Sequence, residues 1–142
     1  MVREDCAFQA LVDPGRPIPE QSTAITGITD DMVRGKPQLE VVLPEFLRYL
    51  GAHELVAQNA DFDLGFLQAG CRKLELKVPP GKVSCTMLMS RQVFPGERRH
   101  SLDEICRRLE IPVGGRHRSI DDVLITARAF ILLRERLAKR GA

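Results

Sequence analysis

Two short acidic segments and a series of arginines carry the chemistry that this sequence offers. Asn59-Ala60-Asp61-Phe62-Asp63 follows directly on the apolar run Leu55-Val56-Ala57. A carboxylate at the carboxyl end of a strand, on the first turn of the next helix, can bind a cation in the crevice there. Asp61 and Asp63 also suit the simpler task of stabilising the positive end of a helix dipole. Farther along, His117 precedes Asp122 by five residues and is flanked by Arg116 and Arg118. A loop histidine can reach a metal-bound water while a helical aspartate holds the metal in place. Asp121-Asp122 is equally an ordinary acidic pair at a helix start, and His117 an ordinary solvated loop residue. Between Arg91 and Arg118 seven arginines stand against Glu97, Asp103, Glu104 and Glu110. Arg107 and Arg108 read as solvated charges on a helix face. Loop arginines beside candidate metal-binding acids are more informative, because a phosphodiester needs both.

The elements that must position these residues follow from pattern. Cys6 to Val12 reads as a strand, with Phe8–Val12 at its centre, ended by the turn residues Asp13-Pro14-Gly15. Pro17 and Pro19 keep the next stretch extended, and Thr29 or Asp30 caps a short helix over Asp31 to Arg34. Leu39, Val42, Leu43, Phe46, Leu47 and Leu50 follow helical spacing. Pro44 within that pattern means either a kinked helix or one that starts at the proline. Leu55 to Ala57 is a short buried strand leading to Asn59 as helix cap, with Phe62, Phe66, Leu67 and Gly70 on one face of the helix. Both phenylalanines also suit core packing, Phe66 more than Phe62. Val83 opens another extended piece, Thr86 to Val93 is helical, and Ser101 with Glu104 forms a capping box. Behind that box Leu102, Ile105, Cys106 and Leu109 face inward. A last helix runs from about Ile120 to Leu137, with Val123, Ala127, Phe130, Ile131 and Leu133 in its apolar set. Short strands mixed with longer helices indicate an α/β layered domain.

Composition bounds the rest. The chain has 142 residues, 44% hydrophobic and 28% charged, which is the range of one globular domain over residues 1–142. The longest wholly apolar run, Ala129 to Leu133, is five residues, far short of the roughly 20 that a membrane helix needs. No charged-then-apolar leader suggests secretion. Cys6, Cys71, Cys85 and Cys106 are spaced by 65, 14 and 21 residues, a pattern matching no zinc ribbon or finger. Reduced, partly buried thiols of a cytoplasmic protein are the expectation.

Four pieces of the chain together resemble the DEDDh group of 3′–5′ exonucleases, the family of the proofreading epsilon subunit of bacterial DNA polymerase III. They are Ile25 to Val33, Leu55 to Leu67, His100 to Pro112 and His117 to Phe130, and they come in family order. The resemblance covers roughly Phe8 to Leu137. It implies a ribonuclease-H-like α/β fold with a mixed five-stranded sheet of order 3-2-1-4-5. It implies that Asp63 and Asp122 are metal ligands and that His117 is the general base. Two Mg²⁺ or Mn²⁺ ions would clamp the scissile phosphate between them. Asn59, Phe62 and Phe66 fall where the family lines its substrate groove, and Arg116 and Arg118 beside the base would meet the same strand. The implied partners are a single-stranded 3′ end, DNA in the proofreading relatives, and a DNA polymerase subunit, with no membrane.

The family's first motif, Asp-X-Glu on the first strand, occurs nowhere in these residues. Gln58 also stands where the family often has a histidine. The sequence aligns from the family's third strand onward, so the expected sheet is incomplete, lacking the first strand and most of the second. Two divalent ions carry four positive charges and Asp63 with Asp122 supplies two negative ones, too few to hold the pair. The expectation is a family member whose chain as given is inactive. The competing reading is a non-catalytic module that grips nucleic acid or a polymerase. An incomplete sheet also predicts association through open strand edges, since each buried unpaired group costs roughly 1–3 kcal/mol.

Overall fold

The computed structural model describes residues 2–3, 5–79, 81–114 and 119–141. Two compact units make up the chain: one of Cys6–Ala52 with Leu67–Pro80, the other of Met1–Asp5, His53–Phe66 and Gly81–Ala142.

The first of these units is helical. Helix α1 (Glu20–Thr26) starts directly after Pro19 and ends at Gly27, whose φ of 73° lets its N–H reach the Thr23 carbonyl at 2.8 Å. The expectation of extended chain after the prolines is thereby corrected. Pro19 is the cap, a position that asks for no N–H donor, and the helix grows beyond it. Helix α2 (Asp30–Val33) is capped by Thr29, whose hydroxyl accepts the Met32 N–H at 3.3 Å. Helix α3 (Leu39–Leu50) is continuous through Pro44 and closes at Gly51, whose N–H bonds the Leu47 carbonyl at 3.0 Å. Val42, Leu43 and Leu50 are its buried residues. Gly70 packs against α3 so closely that a Cβ there would stand 3.0 Å from Leu43 Cδ2.

Phe8–Val12, expected as a strand, has no strand partner among the described residues and is irregular. A strand exists only through a hydrogen-bonded neighbour. Ring contacts hold this segment instead: Phe8 packs on Phe46 and Tyr49 at centroid distances of 5.8 and 5.5 Å. The Tyr49 hydroxyl donates to the Cys6 carbonyl.

The other unit holds the sheet. Strands β1 (Leu55–Ala57) and β2 (Val83–Cys85) pair in parallel, Leu55 with Val83 and Ala57 with Cys85. Parallel neighbours need a crossover, and it includes helix α4 (Ala60–Lys73), whose residues up to Phe66 belong to this unit. Helix α5 (Thr86–Val93) leaves β2 at once, followed by α6 (Leu102–Arg108) and α7 (Ser119–Arg140). Helix α7 packs against α5, α6 and β1. The core is apolar and mostly aliphatic: Val93, Leu102, Ile105, Cys106, Leu109, Ile111, Ile125, Ala129 and Leu133. A fully buried Ile105 or Leu133 contributes about 1.5–3 kcal/mol each.

Three expectations for side chains are corrected here. Val123 is exposed, because the buried stripe of α7 runs through Ile125, Thr126, Ala129 and Leu133. Phe66 is 69% exposed and Phe62 64%, so neither is core; they meet edge to face at 5.1 Å. The Arg108 side chain is 7% exposed, so it is no solvated helix-face charge. It packs on the Phe94 ring and faces Glu97 and Glu104 at 3.4 and 3.5 Å. The described helices include none long and apolar enough to cross a membrane.

Candidate functional site

The acidic segment is held by β1, β2 and the turn between β1 and α4. Asn59 takes φ 60°, the left-handed region that asparagine tolerates better than most residues. Its carbonyl accepts the Phe62 N–H at 3.1 Å, closing the first turn of α4. The Ala60 N–H donates to Cys85 Sγ at 3.4 Å, which seats the helix start on the end of β2. Asp61 and Asp63 lie in that first turn. Asp63 is exposed as a residue, yet partial desolvation of its carboxyl still holds its pKa above the ordinary aspartate value.

The second acidic position is the first turn of α7, with Asp121 and Asp122. Asp122 is half-buried and close to α6: burial first, then the Asp122 charge, pushes the Cys106 thiol pKa up. Asp63 and Asp122 thus belong to one compact unit, one on the helix that leaves β1 and one on a helix that packs against it. Arg116, His117 and Arg118 lie outside the described residues. Among the described residues, no group of three or more His, Cys, Asp or Glu side chains is arranged to hold a metal ion. Two carboxylates alone do not fit a pair of divalent cations.

Pattern reading passed over a polar network behind the β1 exit. Thr86, fully buried, donates from Oγ1 to Gln58 Oε1 at 2.6 Å and faces the Ala57 carbonyl at 3.3 Å. Gln58 Nε2 donates to the His100 carbonyl at 2.8 Å. The buried His100 ring sits between the Ser90 hydroxyl, 2.8 Å from Nδ1, and the Glu97 carbonyl, 3.0 Å from Nε2. A carbonyl cannot donate, so Nε2 carries a proton; in the neutral ring Nδ1 then accepts from Ser90 and also faces Arg108 Nη1 at 3.4 Å. The signal was available in α5: Thr86, Ser90 and Val93 fall on one buried stripe, and polar residues on such a stripe require partners.

This unit is an α/β arrangement: a short parallel sheet flanked by helices, with carboxylates in the first turns of α4, α6 and α7. The chain belongs to the RNase_T exonuclease family, whose model matches residues 1–130. It is 37% identical over 130 residues to the DNA polymerase III subunit epsilon of Aquifex aeolicus, covering 92% of this chain and 64% of that one. The PolC-type DNA polymerase III of Halalkalibacterium halodurans is 38% identical over 119 residues, 84% of this chain. This chain spans only 8% of that relative's length. Among solved structures, exonuclease X in complex with 5′ overhanging duplex DNA superposes with a TM-score of 0.67 at 33% identity. That match covers 87% of this chain and 70% of the other.

Proposed function

We propose that this chain is the strand-end-binding portion of a 3′–5′ exonuclease acting on DNA in the cytoplasm beside a polymerase subunit. In this reading Asp63 and Asp122 are the metal-facing carboxylates, His117 is the general base, and Asn59, Phe62, Arg116 and Arg118 meet the substrate strand. β1 and β2 correspond to the last two strands of a mixed five-stranded sheet. The observation that carries the reading is the family match over residues 1–130, with both acids on helix first turns of one compact unit.

The ions of this family are Mg²⁺ or Mn²⁺, which when bound would stabilise charge on the scissile phosphate. The donor set here does not fit two of them, so no cleavage step is assigned to these residues. What remains is recognition. The exposed Phe62 ring offers a face on which a base can stack, worth about 1–3 kcal/mol. Arginines beside the base position would pair with phosphate through a bidentate fork.

Digestion of a 5′-labelled oligonucleotide with Mn²⁺ present tests the inactive state. No shortening is expected, and turnover that disappears in His117→Ala would overturn it. Fluorescence anisotropy of the same probe tests recognition, and a chain that leaves a 3′ tail unbound at low salt contradicts the reading.

A further inference from the structure

Charge is unevenly divided along this chain. Residues 94–108 and 134–140 carry eight Lys or Arg against four Asp or Glu, a net of +4 where the whole sequence nets +2. The remainder is therefore net −2. Both segments belong to the same compact unit, and Phe94, just past the end of α5, joins them. The Arg108 and Arg136 guanidinium carbons lie 5.6 and 5.5 Å from its ring centroid, one contributed by α6 and one by α7. Arg140 donates through Nη1 to the Gln92 carbonyl at 2.7 Å and through Nη2 to the Val93 carbonyl at 2.5 Å. The end of α7, the end of α5 and the 94–100 loop thus form one surface.

On that surface Arg98, Arg99, Arg136 and Lys139 are exposed. Of the four acids in these segments, Glu104 is paired with Arg107 at 2.8 Å and Glu97 with Arg108 at 3.4 Å, and with Asp103 and Glu135 counted the segments still net +4. The outer cations therefore present an excess of one sign to solvent. The opposite end of α7 carries Asp121 and Asp122. At about 1.5 Å rise per residue, Arg136 and Arg140 lie about 21 and 27 Å along the helix from Asp122.

We propose that this Arg-rich surface around Phe94 holds the phosphate backbone of a nucleic acid duplex whose 3′ end lies at the Asp63–Asp122 end of the unit. The direction rests on the strand-end reading above; the surface itself rests on its own charge and geometry. At about 3.4 Å per base pair, 21–27 Å corresponds to about six to eight base pairs. A polyanion matches the basic end through its backbone, and only the strand-end reading sets which way its terminus runs. Arginine favours phosphate because its fork can make two parallel hydrogen bonds. An acidic peptide would meet the cations but has no reason to extend along α7.

The test compares a short 3′ tail alone with the same tail on duplex stems of four, eight and twelve base pairs, by anisotropy across a salt series. Wild-type affinity should step up between four and eight base pairs. In R98Q/R99Q/K139Q, three exposed changes, that step should vanish and the salt slope for the long stem should fall by about three. Tail binding should stay unchanged. An affinity independent of stem length, an unaltered slope, or an acidic peptide that binds where the stem adds nothing would each overturn the proposal. Stem binding that persists while the tail contributes nothing would support the surface and strike the strand-end reading instead.

Discussion

Replacing Thr86 by valine removes one hydroxyl and leaves the side-chain shape nearly intact. Thr86 is fully buried, and its Oγ1 faces two acceptors, Gln58 Oε1 at 2.6 Å and the Ala57 carbonyl at 3.3 Å. In Thr86→Val the Gln58 oxygen loses its donor in a part-buried site, a loss of about 1–3 kcal/mol. With total stability of about 5–15 kcal/mol, the expected fall in melting temperature is roughly 3–10 °C. Urea denaturation followed by circular dichroism should show a lower midpoint at an unchanged slope, meaning lost stability without a changed denatured state. Ser84→Ala is the control, because its hydroxyl bonds Glu54 at an exposed site, and it should cost under about 0.5 kcal/mol. A Thr86→Val midpoint equal to wild type would refute the reasoning and show that nothing depends on how Gln58 is held.

Other expectations follow from the same geometry. Arg108→Met should lie within about 1 kcal/mol of wild type, since Nε has no partner and its Glu97 and Glu104 contacts are long; a loss of several kcal/mol in chemical denaturation would contradict this. The Asp63 pKa is raised, so the native state binds more protons than the unfolded chain and stability falls as pH rises through the carboxylate range. Asp63→Asn should lose that part of the pH slope in melting curves. Glu104 is shifted the other way, chiefly by its hydrogen bond with Arg107: its contribution is present above the unfolded pKa and lost as pH drops through the folded one. Glu104→Gln should therefore flatten the acid limb. Phe66→Ser should leave the melting temperature almost unchanged, while Ile105→Ala should cost about 2–5 kcal/mol.

Elements set by local chemistry were legible in the sequence. Thr29 and Ser101 cap helices through their hydroxyls, α5 runs from Thr86 to Val93 and β1 from Leu55 to Ala57, as pattern required. What depended on distant partners was not legible. The Phe8–Val12 segment has strand composition but no neighbour to pair with. Arg108 has the spacing of a surface residue, and only the tertiary position of Phe94 and the two glutamates makes it an interior one. Phe66 is apolar and helical yet exposed, because periodicity identifies a face without saying whether anything covers it. In the candidate site, Asp63 and Asp122 were visible as acids at helix starts. Gln58, Thr86, Ser90 and His100 were not, since a buried polar network is recognised by its partners and not by spacing.

The central proposal is that Asp63 and Asp122, in the first turns of α4 and α7, face one shared space. Titrating the isotopically labelled chain with millimolar Mn²⁺ and following amide line broadening tests it directly. Signals around both aspartates should broaden together, and either Asp63→Asn or Asp122→Asn should abolish the effect at both places. Broadening confined to one aspartate and indifferent to loss of the other would contradict the account.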